Sequence, residues 1–146
     1  MIADGIGKTN NQYTKNPENK TSNQIKLIVL LYDGAIRHLS LAVEELAGGH
    51  EHYDRVNNHI VAAQDIVSEL MASLDFERGG EIARGLFSIY SYANRRLLDG
   101  NVRKDRAPLE EVKRLLAELR DAWAGISARK GLAEHAVPSG GVNIAR

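Results

Sequence analysis

The chain has 146 residues, enough for one domain that buries roughly two-thirds of the surface its unfolded form would expose. Its 19 Lys plus Arg balance 19 Asp plus Glu, so no net field draws it to nucleic acid or to an acidic membrane surface. The absence of cysteine excludes disulfides, thiolate catalysis, cysteine-ligated zinc and covalent c-type haem attachment.

Residues 1–22 are rich in Asn, Lys, Thr and Gly, with Ile2, Ile6 and Tyr13 as isolated apolar anchors. This composition predicts a mobile N-terminal arm with room for a short extra helix. Lys8, Lys15, Lys20 and Lys26 make the segment mildly basic, but Asp4 and Glu18 interrupt it, so it reads as a solvated tail. The start of the chain lacks the basic-then-apolar order of a secretory signal, and no stretch approaches the roughly 18 to 20 apolar residues of a membrane span. A soluble cytoplasmic protein without membrane insertion is expected.

A first helix is predicted from Ile25 to Leu46, capped by Ser22 or Asn23 and ended by Gly48-Gly49. Successive helical residues lie about 100° apart, so Ile28, Leu31, Tyr32, Ala35, Leu39, Ala42 and Leu46 form a core stripe, widened by Ile36 and Val43. Leu27, Leu30, Gly34 and Leu41 lie on a flank beyond it, leaving only a narrow polar strip of Lys26, Asp33, Arg37, Ser40 and Glu44. An ordinary surface helix is polar over half its circumference or more, so this flank needs a cover.

A second amphipathic helix, from about Tyr53 to Leu74, repeats Val56, Ile60, Ala63, Val67, Leu70 and Leu74 at spacings of three and four. Gly79-Gly80 permits a tight reversal before a third helix from about Glu81 to Asp99. That helix should turn Ile82, Leu86, Ile89, Tyr90, Ala93 and Leu97 inward, with Ala83, Phe87 and Leu98 broadening the face and Gly100-Asn101 as the stop. Pro108 suits the first turn of a fourth helix, in which Leu109, Val112, Leu116, Leu119, Trp123 and Ile126 repeat at near-heptad spacing beside Leu115 and Ala122. From residue 130 the chain turns Gly-, Ala- and Ser-rich around Pro138, as a flexible tail does.

Four helices joined by short connections give an all-α, antiparallel up-down four-helix bundle spanning 23–129, between an arm at 1–22 and a tail at 130–146. Bundles can house metal centres, but di-metal carboxylate sites need Glu-x-x-His on two helices. The residues three before His38, His50, His52, His59 and His135 are Ala35, Ala47, Gly49, Val56 and Leu132. His50-Glu51-His52 makes an incomplete metal set in a loop, and His59 reads as a hydrogen-bonded boundary histidine without a nucleophile partner. The glycine pairs lack the phosphate-loop pattern. No metal, cofactor or enzymatic activity is expected.

Leu31-Tyr32-Asp33-Gly34-Ala35-Ile36 resembles a hallmark of the FliS family of flagellar export chaperones. The run from Ala63 through Gln64-Asp65-Ile66 to Gly79-Gly80 resembles the second helix of that family and the turn after it. Tyr90, Asn94-Arg95-Arg96-Leu97-Leu98, Asn101 through Asp105 and Leu119-Arg120-Asp121-Ala122-Trp123 extend the likeness in the same order, over roughly Tyr13 to Ile126. The chain departs from the family at Thr21-Ser22-Asn23-Gln24, where a proline is missing, and at Gly100, which replaces a small alanine and should only loosen a turn.

The resemblance implies a cytoplasmic chaperone that holds the C-terminal segment of flagellin, blocks premature polymerisation and presents the client to the export apparatus, without ATP. An anti-sigma factor or other regulator is a further partner in view. The residues expected to meet the client are Leu27, Leu30, Gly34 and Leu41 on helix one, Ile66 on helix two, and Phe87 and Tyr92 on helix three. Gly34 would admit a close backbone approach, and Ile6 and Tyr13 would anchor the arm over part of the groove until the client displaces it. The alternative is a structural or regulatory bundle that dimerises through the same apolar flank.

Overall fold

The computed structural model describes residues 17–136, with side-chain surroundings for 21–129, so Ile6 and Tyr13 lie outside the described residues. The chain forms an all-α four-helix bundle: α1, Pro17–Leu46; α2, Tyr53–Ala72; α3, Phe76–Arg103; and α4, Arg106–Ala136. A short 3₁₀ turn, His50–His52, joins α1 to α2. Among the described residues there is no strand.

Helix α1 starts at Pro17, upstream of the expected caps Ser22 and Asn23, which lie inside it. Proline suits this first position, where its missing N–H would have had no intrahelical partner and its fixed φ is already helical. The helix closes as predicted at the glycine pair: the amides of Ala47, Gly48 and Gly49 bond back to the carbonyls of Glu44, Glu45 and Leu46. Gly49 then takes φ 80°, which a residue with a Cβ rarely adopts.

Helix α3 differs more from its expected form. It begins at Phe76, capped by Asp75, whose Oδ1 accepts the amides of Glu77 and Arg78, each at 3.1 Å. Gly80, at φ 49° and ψ −121°, breaks the helical path, so the glycine pair makes a kink within α3 where a full reversal was expected. The core phase after the kink is Ala83, Tyr90, Ala93, Leu97 and Gly100. Ile82 therefore turns outward and is 75% exposed, correcting its expected core position. Phe87 and Leu98, expected to broaden the core face, are also exposed.

Nor is Gly100-Asn101 a stop. The helix runs on to Arg103 and ends at Lys104, in the left-handed conformation at φ 54°, whose Nζ donates to Asn101 O at 2.7 Å. Gly100 is buried, and a Cβ placed on it would lie 2.8 Å from Leu109 Cδ2. The residue serves close approach of α3 and α4; the expected loosening of a turn does not apply, because no turn is there. Helix α4 is capped by Asp105, which accepts Ala107 N–H at 3.0 Å, and it continues past the expected tail boundary to Ala136.

The chain divides into two compact units, Leu30–Arg120 and Met1–Val29 with Asp121–Arg146. The larger unit holds segments of all four helices. Its core is Tyr32, Ala35, Leu39, Ala42, Val56, Ile60, Ala63, Val67, Leu70, Ala83, Tyr90, Ala93, Leu97, Leu109, Val112 and Leu116. Leu31, Ile36, Val43 and Leu46, expected in or beside the core stripe, are half-buried. The hydroxyls of Tyr32 and Tyr90 hydrogen-bond across this core, linking α1 to α3. In the smaller unit Ile25 is buried and Trp123 and Ile126 are half-buried.

The antiparallel order is written in the side-chain pairs. Gly34, His38 and Glu45 along α1 meet Ile66, His59 and His52 in reverse order. Asn57 and Gln64 on α2 meet Asn101 and Asn94 on α3, again in reverse.

Candidate client-binding surface

Leu30 is 64% exposed, whereas Tyr32, two residues on, is wholly buried. The helical period puts them about 200° apart, so burying Tyr32 obliges Leu30 to face outward. Gly34 comes one turn after Leu30 on α1, and a Cβ built on it would sit 3.3 Å from Ile66 Cδ1. The space expected to admit another backbone is thus the place where α2 closes on α1 through Ile66. Gly34, Leu41 and Ile66 are half-buried, giving this part of the larger unit an apolar seam with an exposed leucine beside it. Leu27 belongs to the smaller unit, where it is half-buried.

Phe87 and Tyr92, both on α3, do not share a face, because five residues turn a helix by about 140° beyond one full turn. Phe87 is 43% exposed and meets Phe76 edge to face, with ring centroids 5.9 Å apart. Tyr92 turns to α4, where its hydroxyl donates to Glu111 Oε2 at 2.5 Å and Arg96 Nε donates to Glu111 Oε1 at 2.7 Å. These hydrogen bonds, from Tyr92 first and then Arg96, hold the Glu111 carboxyl below its ordinary pKa, and the Glu111 carboxylate raises that of Tyr92. Beside them Ser88, Ile89, Tyr92, Arg114, Leu115 and Glu118 line an open cleft of about 400 Å³.

The structure thus brings Gly34 and Ile66 together, keeps Leu30 and Leu41 on the same side of α1 as Gly34, and turns Phe87 and Tyr92 to two different faces of α3. Sequence reasoning missed Phe76 and Ile82 as surface residues. The signal for Ile82 was Gly80: a break there sets the phase of the rest of α3 by the Ala83, Tyr90, Leu97 heptad rather than by the density of large apolar residues.

The histidines take structural partners. His50 stacks on Tyr53 with centroids 4.7 Å apart. His52 Nδ1 lies 2.5 Å from Glu45 Oε1, and this hydrogen bond holds Glu45 below its ordinary pKa. His59 pairs with His38 at 3.1 Å. Among the described residues no three His, Cys, Asp or Glu side chains are grouped to hold a metal ion, and no helix is long and apolar enough to cross a membrane.

Comparison with known proteins gives a family match over residues 7–130, to the family described as flagellar protein FliS. The flagellar secretion chaperone FliS of Salmonella typhimurium is 37% identical over 117 residues, covering 75% of this chain and 80% of that protein. Its counterpart in Bacillus subtilis is 30% identical over 115 residues, covering 77% and 84% respectively. The flagellar secretion chaperone FliSB of Pseudomonas aeruginosa is 36% identical over 106 residues, covering 73% and 82%.

Proposed function

Because the chain belongs to the FliS family, we propose that it is a cytoplasmic export chaperone whose client is flagellin, bound through the client's disordered C-terminal segment. The observation that carries the reading is Leu30, a large apolar side chain 64% exposed one turn from the half-buried Gly34, which meets Ile66, with Leu41 further along the same side of α1. Contiguous exposed apolar surface on a small domain marks an interaction site. Short apolar pieces of the client lie along this seam and over Phe87 and Tyr92. Leu27 keeps its part in the proposal on the sequence argument alone.

Faces as separate as those of Leu30, Phe87 and Tyr92 suit an extended chain better than a compact partner. A disordered chain can wrap several shallow surfaces, and its ordering costs some 2 to 5 kcal/mol of the gross interaction energy. That cost keeps the complex reversible, as handing the client to an export apparatus requires. While bound, the segment is withheld from filament assembly. No ATP-driven step enters, since release needs only competition for a weakly held chain.

The test is Leu30→Glu in the full chain. An exposed substitution should move fold stability by no more than about 0.5 kcal/mol, so the helical circular dichroism and melting temperature stay near wild type. Affinity for a flagellin C-terminal peptide, measured by calorimetry, should fall by about tenfold or more, since a buried leucine contributes about 1.5 to 3 kcal/mol. Unchanged affinity in the folded variant overturns the assignment.

A further inference from the structure

The α1–α2 seam has an ionisable centre. His38 and His59 face each other with Nδ1 atoms 3.1 Å apart and ring centroids 5.3 Å apart, both half-buried. In this pair one ring donates its Nδ1–H and the other accepts with a lone pair, so the contact needs at least one neutral imidazole. When both are protonated, two N–H groups and two positive charges meet at hydrogen-bond distance. Two nitrogens fall short of the three or four protein ligands of a zinc site, so the geometry answers to protons rather than to metal.

The surroundings favour neutrality. Arg37 adjoins His38 on α1, and Arg55 lies one turn before His59 on α2; the other residues one turn from the pair are Gly34, Ala35, Leu41, Ala42, Val56, Ala62 and Ala63. Two turns further along α1, the Glu45 carboxylate is engaged by His52 at 2.5 Å and by Arg55 at 3.6 Å. Burial first, then the positive charges of His59 and Arg37, hold His38 below the ordinary histidine range.

We propose that His38 and His59 form a proton-sensitive latch on the α1–α2 seam, closed while the pair shares its hydrogen bond and opened by a second proton, which loosens the client's seat beside Leu30, Gly34 and Ile66. The effect on the client rests on the function proposed above, whereas the latch itself does not. The folded state binds fewer protons here than the unfolded chain, so the seam's stability rises with pH through the histidine range. It is fully present above about pH 6.5 and lost as pH falls below that value.

Hydrogen exchange by mass spectrometry on the free full-length protein reads the latch without any client. After correction for intrinsic exchange, protection of the α2 amides around His59 should fall several-fold from about pH 7.5 to about pH 5.5, as the pair takes up its second proton. In His38→Gln/His59→Gln an amide N–H donates to an amide oxygen at every pH, so protection should stay level; single His59→Gln makes the same comparison if the double variant fails to melt cooperatively. Protection that changes equally in wild type and the glutamine variant overturns the latch, since both keep every ionisable group outside the pair. A flagellin C-terminal peptide, titrated into the same samples, should bind wild type several-fold more weakly at the lower pH and the glutamine variant equally at both. A peptide that binds at neither pH while protection still switches removes the client and leaves the latch; a peptide that binds wild type equally at both pH values with level protection removes the latch and leaves the client.

Discussion

At the scale of single residues, the core of the larger unit contains one polar contact whose loss should be measurable. Tyr32 and Tyr90 are both buried, and burial, then the bond from Tyr32, pushes the Tyr90 hydroxyl well above the ordinary tyrosine range. Tyr32→Phe strands that hydroxyl and should cost about 1 to 3 kcal/mol in urea denaturation. The glycines of α3 separate packing from propensity in the same way. Gly85 has open space where a Cβ would go, so Gly85→Ala should stabilise by about 0.5 to 1 kcal/mol. Gly100→Ala has the same helical gain, but its Cβ would meet the buried Leu109 at 2.8 Å and the Asp105 carbonyl oxygen at 3.3 Å. Overpacking costs about 1 to 3 kcal/mol, so this variant should melt below wild type while Gly85→Ala melts above it.

At the scale of elements, α3 carries the most information because it is assembled from two pieces. Asp75 caps the first turn, and Asp75→Ala should cost about 1 kcal/mol in a thermal melt. Gly80 sets the angle between that turn and the rest, at a positive φ with extended ψ that side chains disfavour. Gly80→Ala should cost about 1 to 3 kcal/mol in the same melt, more than Asp75→Ala. The kink also decides which apolar residues remain outside. With Ala83, Tyr90 and Leu97 committed to the core, Ile82, Leu98 and Val102 face outward, and Phe76 and Phe87 cover one another only at an edge.

At the scale of the whole molecule, the surplus apolar surface must be met by a client or by a second copy of the chain. The proposed function predicts a free monomer that forms a one-to-one complex with flagellin, read by light scattering coupled to size exclusion. A stable dimer that Leu30→Glu dissociates would instead assign the flank to self-association. Salt should matter little to either outcome, because the chain has equal numbers of acidic and basic residues and the seam beside Leu30 is apolar.

The sequence by itself determined the helix count, the antiparallel order, the glycine end of α1 and most of the core of α1 and α2, because a 3.6-residue period and cap chemistry are local properties. It also carried the family, since Leu31 to Ile36 and Ala63 to Gly80 lie in order within the matched span. Only the tertiary structure decided that Ile82 faces out, that Gly34 meets Ile66, that Gly100 meets Leu109 and that His59 meets His38. The physical reason is the same in each case: periodicity fixes the angle between residues on one helix, whereas burial depends on the absolute phase and on the residue that a neighbouring helix presents at that height. For α3 that phase hung on the conformation of Gly80, which the doublet Gly79-Gly80 leaves open between a kink and a reversal.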